Sequence, residues 1–524
     1  MTQTDDTDAI AEIPHGQLRG RWYEGVARFA GIPYAAPPVG DLRWRPPAPV
    51  EAWGDERSAE HFGAICPQNP SMMDALYGSD PERWDEDCLY LNVWSPKPEP
   101  VADEPGLPVM VWIHGGGFEM GSGSSPLYHG DHFAKHGVVL VSINYRLGSL
   151  GFLELGGVDP SYAGSGNCGL LDQIAALEWV RDHIGAFGGN PDDVTVFGQS
   201  AGAMSIGLLL SMPRAAGLFQ RAICQSGAAA AGRSSELAAR DTVEFMDRGS
   251  WTSVDDLLAA DPKDLLTSHA AMSAARVASP EDYVDTTGTP LAFLAFRPVA
   301  DGRDVPADPL AAVAAGSAGG VSLMIGTTSE EWKLFSLMSA GATSDEHLQA
   351  RLLVVVSDPE GTLAVFRTEH PDASLGDLEC AILTDLVFRN PAVRLADAQA
   401  PHAPTYQYVW TWQSPAFGGM VGAAHAIEIP FVFDLVEDHR LHVFVGPDAP
   451  AGLGHATNEA WRTFAVTGVP GAEGLPEWPT VDSPDRPVMV LDTECALAND
   501  PLPLTRKWWD TDGARPPGSH QRSN

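Results

Sequence analysis

Apolar runs four to seven residues long recur along this chain, at Val109–Ile113, Val138–Ile143, Val194–Phe197, Ala222–Gln225, Val321–Ile325, Tyr406–Trp412 and Val488–Leu491. Bounded by turn residues and mostly rich in β-branched or aromatic side chains, they read as buried strands. Between them lie helical stretches. Ile174–Ile184 repeats its apolar positions with helical period, and the apolar segment after Gly202 reads as another helix. Strands alternating with helices predict an α/β fold, a mostly parallel sheet covered by helices. Ser235–Lys263 and Ser344–Phe388 look mostly helical but fall outside that alternation. They are expected to belong to cap insertions, about 230–300 and 335–400, around the entrance of a site. One domain spanning 13–510 is expected, led by a flexible acidic segment, 1–12, and followed by a Pro/Gly/Ser-rich disordered tail, 511–524.

Composition narrows the partners. The 524 residues include 69 acidic and 32 basic side chains, a net charge of −37, which disfavours nucleic acid and anionic membranes. Few lysines among abundant Ala, Gly, Pro, Asp and Arg suggest a GC-rich bacterial source, with salt adaptation as the sharper alternative. No window of eighteen apolar residues occurs, so no membrane span is expected. The opening MTQTDDTDAIAE shows no signal peptide as given, and a cytoplasmic protein, monomer or homodimer, is the expectation, with secretion left open. Six cysteines (Cys66, Cys88, Cys168, Cys224, Cys380, Cys495) fall in no metal-binding spacing.

The candidate chemistry centres on Phe187–Gly202, FGGNPDDVTVFGQSAG, which sets Ser200 in G-x-S-x-G between a strand and a helix. A serine there sits on a tight turn, with glycines leaving room for strained backbone and an approaching substrate: a nucleophile elbow. Val109–Ile113 runs directly into His114-Gly115-Gly116-Gly117-Phe118, whose bare N–H groups could receive an oxyanion. Gly116 and Gly117, completed by Ala201 after the nucleophile, are the expected donors. A serine nucleophile needs a base, and the base an acid. Beyond the strand Val321–Ile325 stand Glu330 and Glu331; farther on come several histidines, with His425 and His455 the contenders.

Together these motifs resemble the type-B carboxylesterases, the α/β-hydrolase family of bacterial and liver carboxylesterases and the cholinesterases. The elbow matches the family's sixteen-residue signature, and EDCLYLNV (Glu86–Val93) a second one. GIPYAAPPVGDLRW (Gly31–Trp44), NYRLG (Asn144–Gly148), GLLDQ (Gly169–Gln173) and PVADG (Pro298–Gly302) follow the family's order, so the resemblance covers about Ile13–Trp509. It selects Glu331 as the triad acid, although Trp332 replaces the usual following glycine. It selects His425, in GAAHAIEIPFVF, as the base, with Ala426 where glycine is common. It implies buried ion pairs Arg43–Glu86 and Arg146–Asp172, a supporting hydroxyl at Ser226, and a possible Cys66–Cys88 disulfide.

The implied function is cofactor-free and metal-free ester hydrolysis through an acyl-enzyme on Ser200, acting on small neutral esters with short to medium acyl or aryl groups. Gln199 replaces the glutamate common beside the nucleophile, and Gly78 the tryptophan that binds choline in cholinesterases; both argue against quaternary-ammonium esters. Met72, Met73, Tyr77, Phe118, Phe293 and Phe296 are candidate pocket residues. A same-fold hydrolase of carbamates, amides, polyesters or toxin esters is the alternative; a non-enzymatic binding relative is remote, because the apparent triad is retained.

Overall fold

The computed structural model describes residues 4–71, 83–99, 105–278, 291, 294–337, 341–483 and 485–514. Among the described residues fifteen strands run in chain order as β1 (Thr4–Ile13), β2 (Gly16–Tyr23), β3 (Val26–Pro33), β4 (Glu56–Ser58), β5 (Tyr90–Ser95), β6 (Leu107–Ile113), β7 (Val139–Ile143), β8 (Gly189–Gln199), β9 (Arg221–Gln225), β10 (Arg233–Ser234), β11 (Val299–Ala300), β12 (Ser322–Thr328), β13 (Thr405–Trp410), β14 (Pro487–Leu491) and β15 (Ala496–Asn499). All but β10 and β11 form one sheet, ordered β1-β2-β3-β5-β7-β6-β8-β9-β12-β13-β14-β15, with β4 beside β2. From β7 through β14 the pairings are parallel; the flanking pairs are antiparallel. The expected apolar runs form this parallel centre, lengthened at several ends but shortened at others: β7 begins at Val139, β12 at Ser322, and β13 ends at Trp410.

The sheet is covered on both faces, and β6 shows why its run is continuously apolar. Val109, Val111 and Ile113 enter one buried cluster, while Met110 and Trp112 enter the other, so both faces of the pleat are out of water. The helix Cys168–His183 packs in the first cluster. A third, smaller cluster gathers Leu348, Leu363, Phe366, Leu378 and Ile382 from the helices Asp345–Leu352, Pro359–Glu369 and Leu375–Thr384, together with Trp509. Those helices, with Ser235–Gly249, Val254–Ala259 and Pro262–Ala278, are the helical stretches anticipated off the sheet pattern.

The ends of the chain correct two expectations. Thr4–Ile13 is an edge strand paired antiparallel with β2 rather than a flexible leader. Its alternation explains this: Ala9, Ala11 and Ile13 are buried, Ile10 and Glu12 exposed, and Asp8 lies near Arg19 and Arg21. The tail does not begin at Thr511 either. Gly513 O accepts the Asp358 N–H at 2.8 Å and Ala514 is buried in the third cluster, so packing continues to that residue.

Candidate active site

Ser200 stands at the tip of β8, between β6 and β9, where the chain turns into the helix Ala201–Leu209. Its φ of 56° and ψ of −123° place a non-glycine residue in a sparsely populated region, a strain of about 1–3 kcal/mol that the surroundings must hold. They do so at both ends: Ser200 N–H donates to Gln225 O at 2.9 Å, and Ser200 O accepts from Met204 N–H at 2.8 Å. The flanking glycines permit the close turn. A Cβ on Gly202 would lie 1.9 Å from Ile113 O, and one on Gly198 2.5 Å from the same oxygen.

Ile113 leads straight into the glycine loop. Gly116 and Gly117 take φ of 110° and 63°, and Gly116 O accepts from Glu119 and Met120 N–H, both at 3.0 Å. Among the described residues, no hydrogen bond engages the N–H groups of Gly116, Gly117 or Ala201. His114 anchors the loop: its ring stacks on Tyr145 with centroids 4.5 Å apart, and Tyr145 OH donates to His114 O. Burial lowers the His114 pKa to about 4, so the ring is neutral and structural.

The acid and base come from two later loops. Glu331 follows β12 and is fully buried; its Oε1 accepts the Thr328 N–H at 2.8 Å, and although the residue precedes a short helix its side chain makes no capping bond to it. Its Oε2 lies 2.6 Å from His425 Nδ1, and His425 N–H donates to Glu331 O. The ring of His425, 5% exposed, lies between Phe335 and Phe388, with centroids 5.3 and 4.8 Å away. Of the rival carboxylate and histidine, Glu330 pairs with Lys333, and the exposed His455 pairs with Asp434 at 2.9 Å. Trp332 begins a short helix, donating its N–H to Thr384 Oγ1. Ala426 does adopt the conformation glycine favours, at φ 69°.

Gln199 reaches further than its place beside the nucleophile suggests: its Nε2 lies 3.1 Å from His425 Nε2. Ser226 donates its N–H to Gly326 O, while its buried hydroxyl has no partner among the described residues. The carboxyl that sequence reasoning passed over is Glu428, three positions after His425. It is buried, and its Oε1 accepts from Gln225 Nε2 at 3.2 Å; Gln225 Oε1 in turn accepts from Trp461 Nε1 at 3.0 Å. Burial, reinforced by the charge of Glu331, pushes its pKa up to about 7. The only signal was a glutamate inside the apolar IEIPFVF run.

Other expected residues sort differently. Phe118 and Phe296 are fully buried. The left-handed φ of Phe118, 63°, accompanies packing on Phe152, and Phe296 packs on Phe245 and His269. Met72, Met73, Tyr77, Gly78 and Phe293 lie outside the described residues. Arg43–Glu86 and Arg146–Asp172 are the anticipated pairs, each bidentate, the second fully buried and the first partly so. Cys66 and Cys88 do meet, but as free thiols rather than a disulfide. Contact with Cys66 and burial hold the Cys88 thiol well above its usual range. Among the described residues no three His, Cys, Asp or Glu side chains gather as a metal site, and no helix is long and apolar enough to cross a membrane.

A strained serine on a strand-to-helix turn, free N–H groups beside it, and a histidine backed by a buried carboxylate are suited to acyl transfer. Comparison with known proteins agrees. The Carboxylesterase family profile matches residues 7–503. Para-nitrobenzyl esterase of Bacillus subtilis is 40% identical over 94% of this chain and 97% of its own. Fumonisin B1 esterase of Sphingopyxis macrogoltabida is 35% identical over 91% and 85%, respectively. A solved PNB esterase superposes with a TM-score of 0.84 at 39% identity, covering 96% of this chain and 99% of that one. The chain therefore belongs to the carboxylesterase family, as an α/β-hydrolase enzyme acting on carboxylic esters.

Proposed function

We propose that Ser200 is the nucleophile, His425 the general base and acid, and Glu331 the residue that orients His425. The observations carrying this reading are the 2.6 Å contact between His425 Nδ1 and the buried Glu331 Oε2 and the strained strand-to-helix turn that holds Ser200. Nδ1 carries the proton donated to Glu331, leaving the Nε2 lone pair to take the Ser200 hydroxyl proton as Oγ attacks the ester carbonyl. Gly116, Gly117 and Ala201 N–H receive the oxyanion, each such donor typically contributing about a hundred- to a thousand-fold in rate. His425 returns the proton to the departing alcohol, leaving an acyl group on Ser200. Water, deprotonated by the same ring, then releases the acid.

The acyl side accepts an uncharged group of short to medium length. Met204, Ala228, Ala231, Leu291 and Val387 line a small apolar cavity one helical turn from Ser200, with room for about one water, so it does not itself set the acyl length. Gln199 adds no charge beside the nucleophile. That two relatives are named for different esters supports a site tolerant of its leaving group. The test is hydrolysis of p-nitrophenyl esters across acyl lengths beside choline esters, with Ser200→Ala as control. Turnover of neutral esters, peaking at short to medium acyl length and absent from the alanine variant, supports the reading. A preference for choline esters would overturn the substrate class.

A further inference from the structure

A cavity of about 60 Å³, room for about four to six waters, lies between the helix Asn390–Gln399 and one face of β12, β13 and β14. Strand alternation decides what lines it. Tyr406, Tyr408 and Trp410 enter the second buried cluster, so Gln407 and Val409 face the opposite way, into the cavity, beside Thr327 and Val488. Thr327 is 3% exposed and Gln407 7%, yet neither the hydroxyl nor the carboxamide has a hydrogen-bond partner among the described residues. Buried polar groups left so are costly, and both of these open on the cavity. Its mouth carries the partly exposed Arg486 and Arg506. Arg486 engages its Nη2, with Asp397 at 2.7 Å, and Arg506 its Nε and Nη2, with Asp500 at 2.8 and 2.7 Å. Nε and Nη1 of Arg486 and Nη1 of Arg506 have no partner among the described residues. Arg389, also in the lining, is fully engaged by Asp385, Thr505 and Pro501 O and forms wall rather than donor. Asp500 N–H donates to Arg486 O at 3.0 Å, which ties the two sides of the mouth together.

We propose that this cavity is a second ligand site, separate from the Ser200 centre, that takes a short hydroxycarboxylate. The carboxylate binds the unengaged N–H groups of Arg486 and Arg506, the hydroxyl meets Gln407 and Thr327, and the few carbons between lie on Val393, Val409 and Val488. Each part of the ligand answers an observation. Guanidinium groups present paired N–H donors that match a carboxylate. An amide and a hydroxyl, both donor and acceptor, suit an alcohol that gives one hydrogen bond and receives another. The volume limits the body to a few heavy atoms. Asp385, Asp397 and Asp500 around the mouth would repel a second negative charge, so the ligand is a monoanion. Carboxylate is also the product class of ester hydrolysis. The site adjoins the supports of the other centre: Thr327 precedes Thr328, whose N–H holds Glu331, and Arg389 follows Phe388, which packs on His425. Its existence does not depend on the triad reading.

Titration of the full chain with 3-hydroxybutyrate, followed by calorimetry, tests the site. Saturable binding at about millimolar concentration is expected. Butyrate, lacking the hydroxyl, should bind about five-fold more weakly, and 1,3-butanediol, lacking the charge, at least about ten-fold more weakly. Two variants place the ligand. Gln407→Leu removes an amide that has no partner, so it should keep Tm and p-nitrophenyl ester turnover at or above the wild-type values while weakening 3-hydroxybutyrate about five- to ten-fold. Arg486→Met removes the free guanidinium donors and should weaken it at least about ten-fold, with turnover unchanged. Absence of saturable binding up to about 50 mM, a roughly 50-fold excess over the expected Kd, would overturn the proposal. So would affinity that either folded variant leaves unchanged, since the ligand would then sit elsewhere, the Ser200 centre included. Butyrate or butanediol binding as tightly as 3-hydroxybutyrate would equally overturn the ligand class.

Discussion

Replacing Glu331 by glutamine should nearly abolish turnover while leaving the fold standing, and the local hydrogen bonds say why. Glu331 Oε1 receives the Thr328 backbone N–H at 2.8 Å, and Oε2 meets His425 Nδ1 at 2.6 Å. A glutamine has one acceptor end. The Thr328 N–H is a fixed donor, so the amide oxygen turns to it and the NH₂ faces His425. The ring must then accept at Nδ1 and carry its proton on Nε2, the tautomer that cannot take a proton from Ser200. The opposite amide orientation sets NH₂ against a buried N–H, leaving a donor unsatisfied at a cost of about 1–3 kcal/mol. With the carboxylate's support for the imidazolium also gone, kcat should fall about 10⁴-fold, or about 5.5 kcal/mol of barrier. KM should change little. Steady-state hydrolysis of p-nitrophenyl butyrate, corrected for folded enzyme by thermal melt, reads the effect. A folded Glu331→Gln enzyme retaining about a tenth or more of wild-type kcat would refute the tautomer argument.

Three further outcomes follow from the packing. The Glu428 carboxyl, raised to about 7 in the folded protein from an ordinary 4.5, binds more protons folded than unfolded between those values, so it favours the fold at low pH and loses that contribution as pH rises through 7. The loss amounts to about 3 kcal/mol; Glu428→Gln should remove this decline from a Tm-against-pH series, and curves parallel to wild type would contradict it. Asp172→Ala strands the Arg146 guanidinium, 2% exposed, and should destabilise by about 3–5 kcal/mol in denaturant melts; a loss below about 1 kcal/mol would show the charge finds another partner. Gly202→Ala drives a methyl to within 1.9 Å of Ile113 O and should cost at least about 2 kcal/mol along with most activity, whereas an active variant with unchanged Tm would mean the elbow has slack.

The parallel centre of the sheet was legible because its strands are buried on both faces and so remain apolar without interruption, as Val109–Ile113 does. The edge strand Thr4–Ile13 was not, since among its described side chains only Ala9, Ala11 and Ile13 face inward and its carboxylates dominate the composition. Ser200 and the glycine loop announce themselves by local backbone demands. Glu331 and His425 needed the family resemblance to separate them from Glu330 and His455, whose partners, Lys333 and Asp434, emerge only in three dimensions. The contact of Gln199 with His425 joins positions 226 apart and leaves no local trace. The left-handed backbone of Phe118 and its packing against Phe152 are likewise invisible in the sequence.

Trapping the acyl-enzyme tests the central claim most directly. The protein is mixed with p-nitrophenyl acetate, quenched during the burst, digested and mapped by mass spectrometry beside Ser200→Ala. The account predicts a stoichiometric p-nitrophenol burst and an acetyl group on Ser200, both absent from the variant. An acetyl group on another residue, or a burst that persists without Ser200, would contradict it.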